Sequence, residues 1–289
     1  MKRTAIFLGI SLLALLISAA CRGPGYPDPP KPKPEAPEQV SETAMKVLFI
    51  GNSLTHYHDM PDMLKAMALS GGKEVFIDQH TPPGVSLAFH SQSNGTIEKI
   101  NERKWDQIIL QSSDITAFPD LYDDEITVIE RLKGHILSNH PQTRIIYLMV
   151  WGIKDGVTIR ELNGELVYYS YETYAKKIDD GTLFIKHQCK IDIAPVGRIW
   201  AQIIAVRPEL ADFLFDLDGA HPGLYGSFLS ACTYYTVLFS EGIKRPLASI
   251  NIDSADQSYI IDKVASTVLN DMALWFSSKI VGQRSLYGK

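Results

Sequence analysis

Three side chains at separate places in this chain have the types that acyl transfer needs. Ser53 closes the run Val47-Leu48-Phe49-Ile50-Gly51-Asn52, four apolar residues and then a tight polar turn. A serine hydroxyl is a poor nucleophile until a base takes its proton. His221 can be that base. Asp218, three residues upstream in Asp218-Gly219-Ala220-His221-Pro222-Gly223, can hold the imidazole tautomer and stabilise the imidazolium. Asp216 is its rival for that place. The tetrahedral oxyanion then needs preorganised donors. The backbone N–H groups of Ser53 and Gly84 are candidates, and the missing Cβ at position 84 would let a backbone N–H approach closely. In Gln111-Ser112-Ser113-Asp114, Gln111 is the side chain able to supply a third, amide donor, with Ser113 as the alternative.

Such residues matter only if the fold brings them together. Apolar runs predict strands at Lys46–Ile50, Glu74–Ile77, Trp105–Leu110, Arg144–Val150 and Ile191–Ala194. Helical spacing fills the gaps at Met60–Leu69, Ile97–Arg103, Glu125–Ser138, Tyr171–Gln188 and Gly197–Val206. Gly223–Phe239 and Ala255–Phe276 read as two long closing helices. Short β-rich runs alternating with helices predict a parallel sheet covered on both faces, a doubly wound α/β sandwich. Ser53, Gly84 and Gln111 then follow the first three strands, and functional residues of such folds lie beyond the carboxyl ends of strands. Residues 152–171 break the alternation. Their Asn163-Gly164 turn signal predicts a hairpin insertion overhanging that edge.

The segments Ile50-Gly51-Asn52-Ser53-Leu54-Thr55, Gln111-Ser112-Ser113-Asp114 and Asp218–Gly223, with Gly84 between the first two, resemble the SGNH (GDSL-like) hydrolase superfamily. The resemblance spans most of residues 46–240 and is nearest to a bacterial, lipoprotein-type branch of uncharacterised SGNH-like domains. It implies a flavodoxin-like three-layer α/β/α sandwich with about five parallel strands, and ester hydrolysis, often of acetyl groups on carbohydrates or of lipid esters and thioesters. It also implies Ser53 as nucleophile, His221 as base, Asp218 as its orienter and Gly84 as an oxyanion donor beside the Ser53 N–H, without metal or organic cofactor; Gln111 is the residue of this chain that could stand in as the third donor. Two blocks depart from the pattern. Asn52 stands where the superfamily has aspartate, and Ser113 stands where it has asparagine.

Plainer readings exist for each residue. A lone serine after a strand is a turn or cap residue. A lone histidine before Pro222 can simply be part-buried. Asn52, His56 and Trp151 are expected to contact substrate, Trp151 as an aromatic floor or else as core. His56 and His58 beside Asp59 lack the further ligands of a metal site.

The ends carry other information. Lys2 and Arg3 precede an apolar stretch to Ala20, the layout of a signal peptide over residues 1–20. That stretch is short for a spanning helix of ~20 residues. Small residues before Cys21 resemble a lipobox, with Ser18 where leucine is usual, so Cys21 is the expected lipidation site and a membrane the expected partner; plain secretion with cleavage near Ala20 is the alternative. Residues 21–44 hold seven of the sixteen prolines and read as a solvated tether reaching at most about 70 Å. The hydrolase-like domain is expected over 45–289. Without the first twenty residues the chain has 26 basic and 33 acidic side chains, net −7, which gives no basic patch for nucleic acid. Cys189 and Cys232 either pair or remain buried thiols. Three readings follow: a cell-envelope serine esterase acting on an ester-bearing carbohydrate or other small ester, a lipase or thioesterase, or a glycan-binding protein without turnover.

Overall fold

Parallel strands buried on both faces should be apolar throughout, and the first strand meets that demand: Val47, Leu48, Phe49 and Ile50 are all fully buried. The structure is a computed structural model that describes residues 40–161 and 164–277. Residues 1–39, with the expected signal, Cys21 and most of the tether, lie outside the described residues. A compact unit begins at Val40, ahead of the expected boundary at residue 45. Val40 packs on the core, and the Thr43 and Ser41 hydroxyls donate to Glu74.

The sheet strands are β1 (Met45–Ile50), β2 (Val75–His80), β3 (Gln107–Leu110), β4 (Arg144–Leu148) and β7 (Asp192–Ala194). They lie parallel in the order β2-β1-β3-β4-β7. β5 (Val157–Arg160) and β6 (Leu166–Tyr169) form a separate antiparallel hairpin inside the expected insertion. β2 runs three residues past its expected end because an edge strand tolerates polar Asp78, Gln79 and His80, whose backbones still pair with β1.

Short helices are α1 (Ser53–His56), α3 (Leu87–His90), α8 (Ala211–Leu214) and α11 (Met272–Trp275). Longer ones are α2 (Met60–Ser70), α4 (Asn94–Asn101), α5 (Tyr122–Asn139), α6 (Tyr171–Cys189), α7 (Val196–Val206), α9 (Leu224–Phe239) and α10 (Ser254–Asn270). α4 starts before the expected Ile97 because Ser93 caps it, accepting from the Thr96 N–H. α9 is buried on nearly every side, from Gly226 to Leu238, and packs between α2 and α10. α4, α5 and α6 form another packed group. The result is a three-layer α/β/α sandwich. The expected helix Ala255–Phe276 is instead broken at Asp271. The chain turns there, Trp275 is buried, and its indole N–H donates to the Thr267 carbonyl at 2.9 Å. Cys189 and Cys232 are both buried free thiols, so the pairing alternative falls away.

Candidate active site

The carboxyl end of β1 presents Ser53. Asn52 caps α1 by accepting the Leu54 N–H at 3.0 Å, which sets Ser53 as the first helical residue at the sheet edge. Gly51 is required by close approach: a Cβ there would collide with the Gln111 side-chain amide. His221 arrives on the loop between α8 and α9. Its Nε2 lies 2.8 Å from Ser53 Oγ, and its Nδ1 lies 2.5 Å from Asp218 Oδ2. A carboxylate only accepts, so Nδ1 carries the proton and Nε2 presents its lone pair to the serine hydroxyl. The other Asp218 oxygen accepts the backbone N–H groups of Ala220 and His221 at 2.9 and 2.8 Å. Burial pushes the Asp218 carboxyl up, but hydrogen bonds from the His221 ring and those two N–H groups outweigh it and hold it below the ordinary value. Asp216, the rival, points elsewhere: its carboxylate accepts the Leu217 N–H.

Gln111 sits at the end of β3, almost fully buried. The expectation that its amide N–H faces the oxyanion is corrected by its partners. Its Oε1 accepts the Asn52 backbone N–H at 2.7 Å and the Thr55 hydroxyl at 2.9 Å, while its Nε2 donates to the Ser112 carbonyl at 2.8 Å. A backbone N–H can only donate, so the atom facing the nucleophile turn must be the carbonyl oxygen. Gln111 braces that turn. Of the next residues, Ser112 is buried and Asp114 accepts the Tyr174 hydroxyl at 2.6 Å, whereas Ser113 is exposed.

Gly84 is exposed in the loop after β2, at φ +71°. A Cβ there would meet nothing within 4 Å. The left-handed backbone itself calls for glycine here. Two residues expected to touch substrate hold this loop. Asn52 Nδ2 donates to the Val85 carbonyl at 2.9 Å, and His56 Nδ1 donates to the Thr81 carbonyl at 3.1 Å. The loop of Gly84 is thus tied at both ends to the nucleophile segment.

Trp151 is also corrected. It is buried, stacks on Trp200 with centroids 4.2 Å apart, and donates its indole N–H to the Ala220 carbonyl at 2.9 Å. It supports the histidine loop from below. The segment leading into the hairpin joins the same loop, because the Lys154 N–H donates to the Gly219 carbonyl at 2.9 Å.

Two contributors escaped the sequence reading. The Tyr57 ring stacks on the His221 imidazole at 4.3 Å and 14°. It is followed by His58 and Asp59, both left-handed at φ 51° and 53°, a rare conformation for such residues. Tyr57 lies four residues after Ser53, a spacing that brings side chains together on a helix and was the available signal. His90, fully buried, donates from Nε2 to the Gly51 carbonyl and accepts the Thr96 hydroxyl at Nδ1, both at 2.8 Å. Nothing local in the sequence signals that contact. Among the described residues, no three His, Cys, Asp or Glu side chains gather as a metal site.

No protein-family model matches the sequence. No curated protein matches it either. Solved structures do share its fold. A DUF4886 family protein from Bacteroides uniformis ATCC 8492 superposes with a TM-score of 0.66 at 19% identity, covering 78% of this chain and 95% of its own. A candidate SGNH hydrolase from Slackia heliotrinireducens superposes with a TM-score of 0.54 at 22% identity, covering 68% of this chain and 99% of its own. The chain shares the fold of both proteins.

Proposed function

We propose that this protein is a serine ester hydrolase. The observation that carries the reading is the hydrogen-bonded series from Ser53 Oγ through His221 to Asp218. Ser53 attacks the ester carbonyl as His221 Nε2 takes its proton. The oxyanion accepts the backbone N–H groups of Ser53 and Gly84. Collapse breaks the carbon–alkoxide bond, and His221 returns the proton to the departing alcohol. Water, deprotonated by the same histidine, then cleaves the acyl-Ser53 ester and restores the serine.

The substrate we propose is a small acyl ester, best an O-acetyl group on a carbohydrate outside the cytoplasm. The sequence resemblance supports the chemistry. The leader-like start, Cys21 and the proline-rich tether support an envelope location with a lipid anchor, which metabolic fatty-acid labelling lost in Cys21→Ser would check.

Hydrolysis of 4-nitrophenyl acetate by the parent, Ser53→Ala and His221→Ala tests the reading. Loss of roughly 10³-fold or more in both variants is expected. Equal rates in all three would contradict it. Esters of increasing acyl length separate a small-acyl esterase from a lipase or thioesterase. A glycan-binding role without turnover is the second reading, favoured by one observation: the Gln111 amide donates to Ser112 and not toward the serine.

A further inference from the structure

One face of α5 carries Glu125, Ile129, Leu132 and Ile136, the buried residues of that helix. Three of them are apolar, as a core-facing stripe at helical spacing should be. The fourth is a carboxyl that is only 3% exposed. Burying such a group costs stability unless hydrogen bonds answer it, and an apolar side chain there would carry no such cost. The series from Ser53 through His221 to Asp218 does not use it.

The partners of Glu125 lie at the end of β3. Tyr147 of β4 donates its hydroxyl to Glu125 Oε1 at 2.8 Å. In the sheet register Tyr147 stands opposite Leu110, the last residue of β3. The second partner is the buried hydroxyl of Ser112, two residues past that strand end, which also bonds to Tyr147. Burial raises the Glu125 pKa, and the two hydroxyls only partly offset it.

Ser112 joins this cluster to the nucleophile turn. Its carbonyl accepts the Gln111 amide N–H at 2.8 Å. That contact leaves Gln111 Oε1 facing the turn, where it accepts the Asn52 N–H at 2.7 Å and the Thr55 hydroxyl at 2.9 Å. Were the amide turned over, its NH2 would meet the Asn52 N–H, donor against donor. We infer that Glu125 is a positioning residue for the nucleophile: by holding Ser112 it fixes the Gln111 amide, and through that amide the turn that carries Ser53. The inference rests on the esterase reading and extends its machinery into the helical layer.

Hydrolysis of 4-nitrophenyl acetate by the full chain tests this, with Ser112→Ala, Glu125→Leu, Glu125→Gln and Tyr147→Phe. Each rate is referred to the folded fraction, read from a denaturant melt of the same sample. Ser112→Ala should lower kcat/KM roughly five- to twentyfold, since small misplacements of a reacting group are costly. Glu125→Leu should match it. The two changes combined should lose no more than either alone, because the residues act in series. Glu125→Gln keeps an oxygen for Tyr147 and offers an amide N–H to Ser112 Oγ, so it should stay within about twofold of the parent. Tyr147→Phe should cost stability yet leave Ser112 held by Glu125, with kcat/KM per folded molecule within about twofold of the parent. Parental kcat/KM in Ser112→Ala, multiplied losses in the double variant, or Glu125→Gln as slow as Glu125→Leu would overturn the positioning role while leaving the esterase reading standing. So would a loss in Tyr147→Phe as large as in Ser112→Ala, which would assign the effect to packing. A parent without activity on the ester would overturn the esterase reading and this inference with it.

Discussion

Trp151 donates its indole N–H to the carbonyl of Ala220, 2.9 Å away, and Ala220 is the residue next to His221. The end of β4 thereby fixes the height of the histidine loop above the sheet. Trp151→Phe keeps an aromatic ring against Trp200 and removes the donor. Stability should fall by about 1 kcal/mol. kcat should drop several-fold with KM little changed, since the loop positions the base and not the bound ester. Denaturant melts and steady-state kinetics on one ester check both parts.

Stacking on Tyr57 gives His221 a fixed ring plane and a favourable face when it becomes an imidazolium. Tyr57→Phe should retain near-parental kcat, because the ring and not the hydroxyl makes the contact. Tyr57→Leu should lower kcat roughly tenfold. Similar losses in both variants would assign the effect to the phenol.

Gln111 offers a sharper contrast. As a brace, it satisfies the part-buried Asn52 N–H and the buried Thr55 hydroxyl. Gln111→Leu leaves both without their acceptor, and each such loss costs about 1–3 kcal/mol. A large fall in stability is expected alongside slower turnover. An oxyanion donor would behave oppositely, costing ~10²–10³ in kcat with stability intact. Thermal or chemical melts beside kcat distinguish the two.

His90 predicts a pH dependence of stability. Burial pushes its pKa down, the bond to Gly51 opposes that, and His80 nearby adds to it. A lowered folded-state pKa means the unfolded chain binds the proton more readily. The stability contributed by neutral His90 is complete above the ordinary histidine value of ~6.5 and is lost as pH falls below it. His90→Gln, which can still donate to the Gly51 carbonyl, should show a flatter decline between pH 7 and 5. Unfolding curves at several pH values read the slope.

The sheet and the positions of Ser53, Asp218 and His221 were legible because their signals are local. Buried parallel strands read as unbroken apolar runs, and Asp218 and His221 share one loop. The edge strand β2 was cut short because Asp78 and Gln79 are polar, and only pairing with β1 keeps them in the strand. What the sequence could not convey was commitment of side chains across the fold. Asn52, His56 and Trp151 have the types of substrate-contacting residues, yet Asn52 Nδ2, His56 Nδ1 and Trp151 Nε1 donate to the carbonyls of Val85, Thr81 and Ala220. Those partners are set by how the loops after β1, β2 and β4 meet one another and the loop between α8 and α9. Asn163, the first residue of the expected Asn163-Gly164 turn, lies outside the described residues.

The central claim is that Ser53 is an activated nucleophile. The most direct measurement is the intact mass of the full chain after treatment with a fluorophosphonate, for the parent, Ser53→Ala and His221→Ala. The account predicts one adduct on the parent, mapped by peptide analysis to Ser53, no adduct on Ser53→Ala, and strongly slowed labelling of His221→Ala. An unlabelled parent, or an adduct that persists in Ser53→Ala, would contradict it.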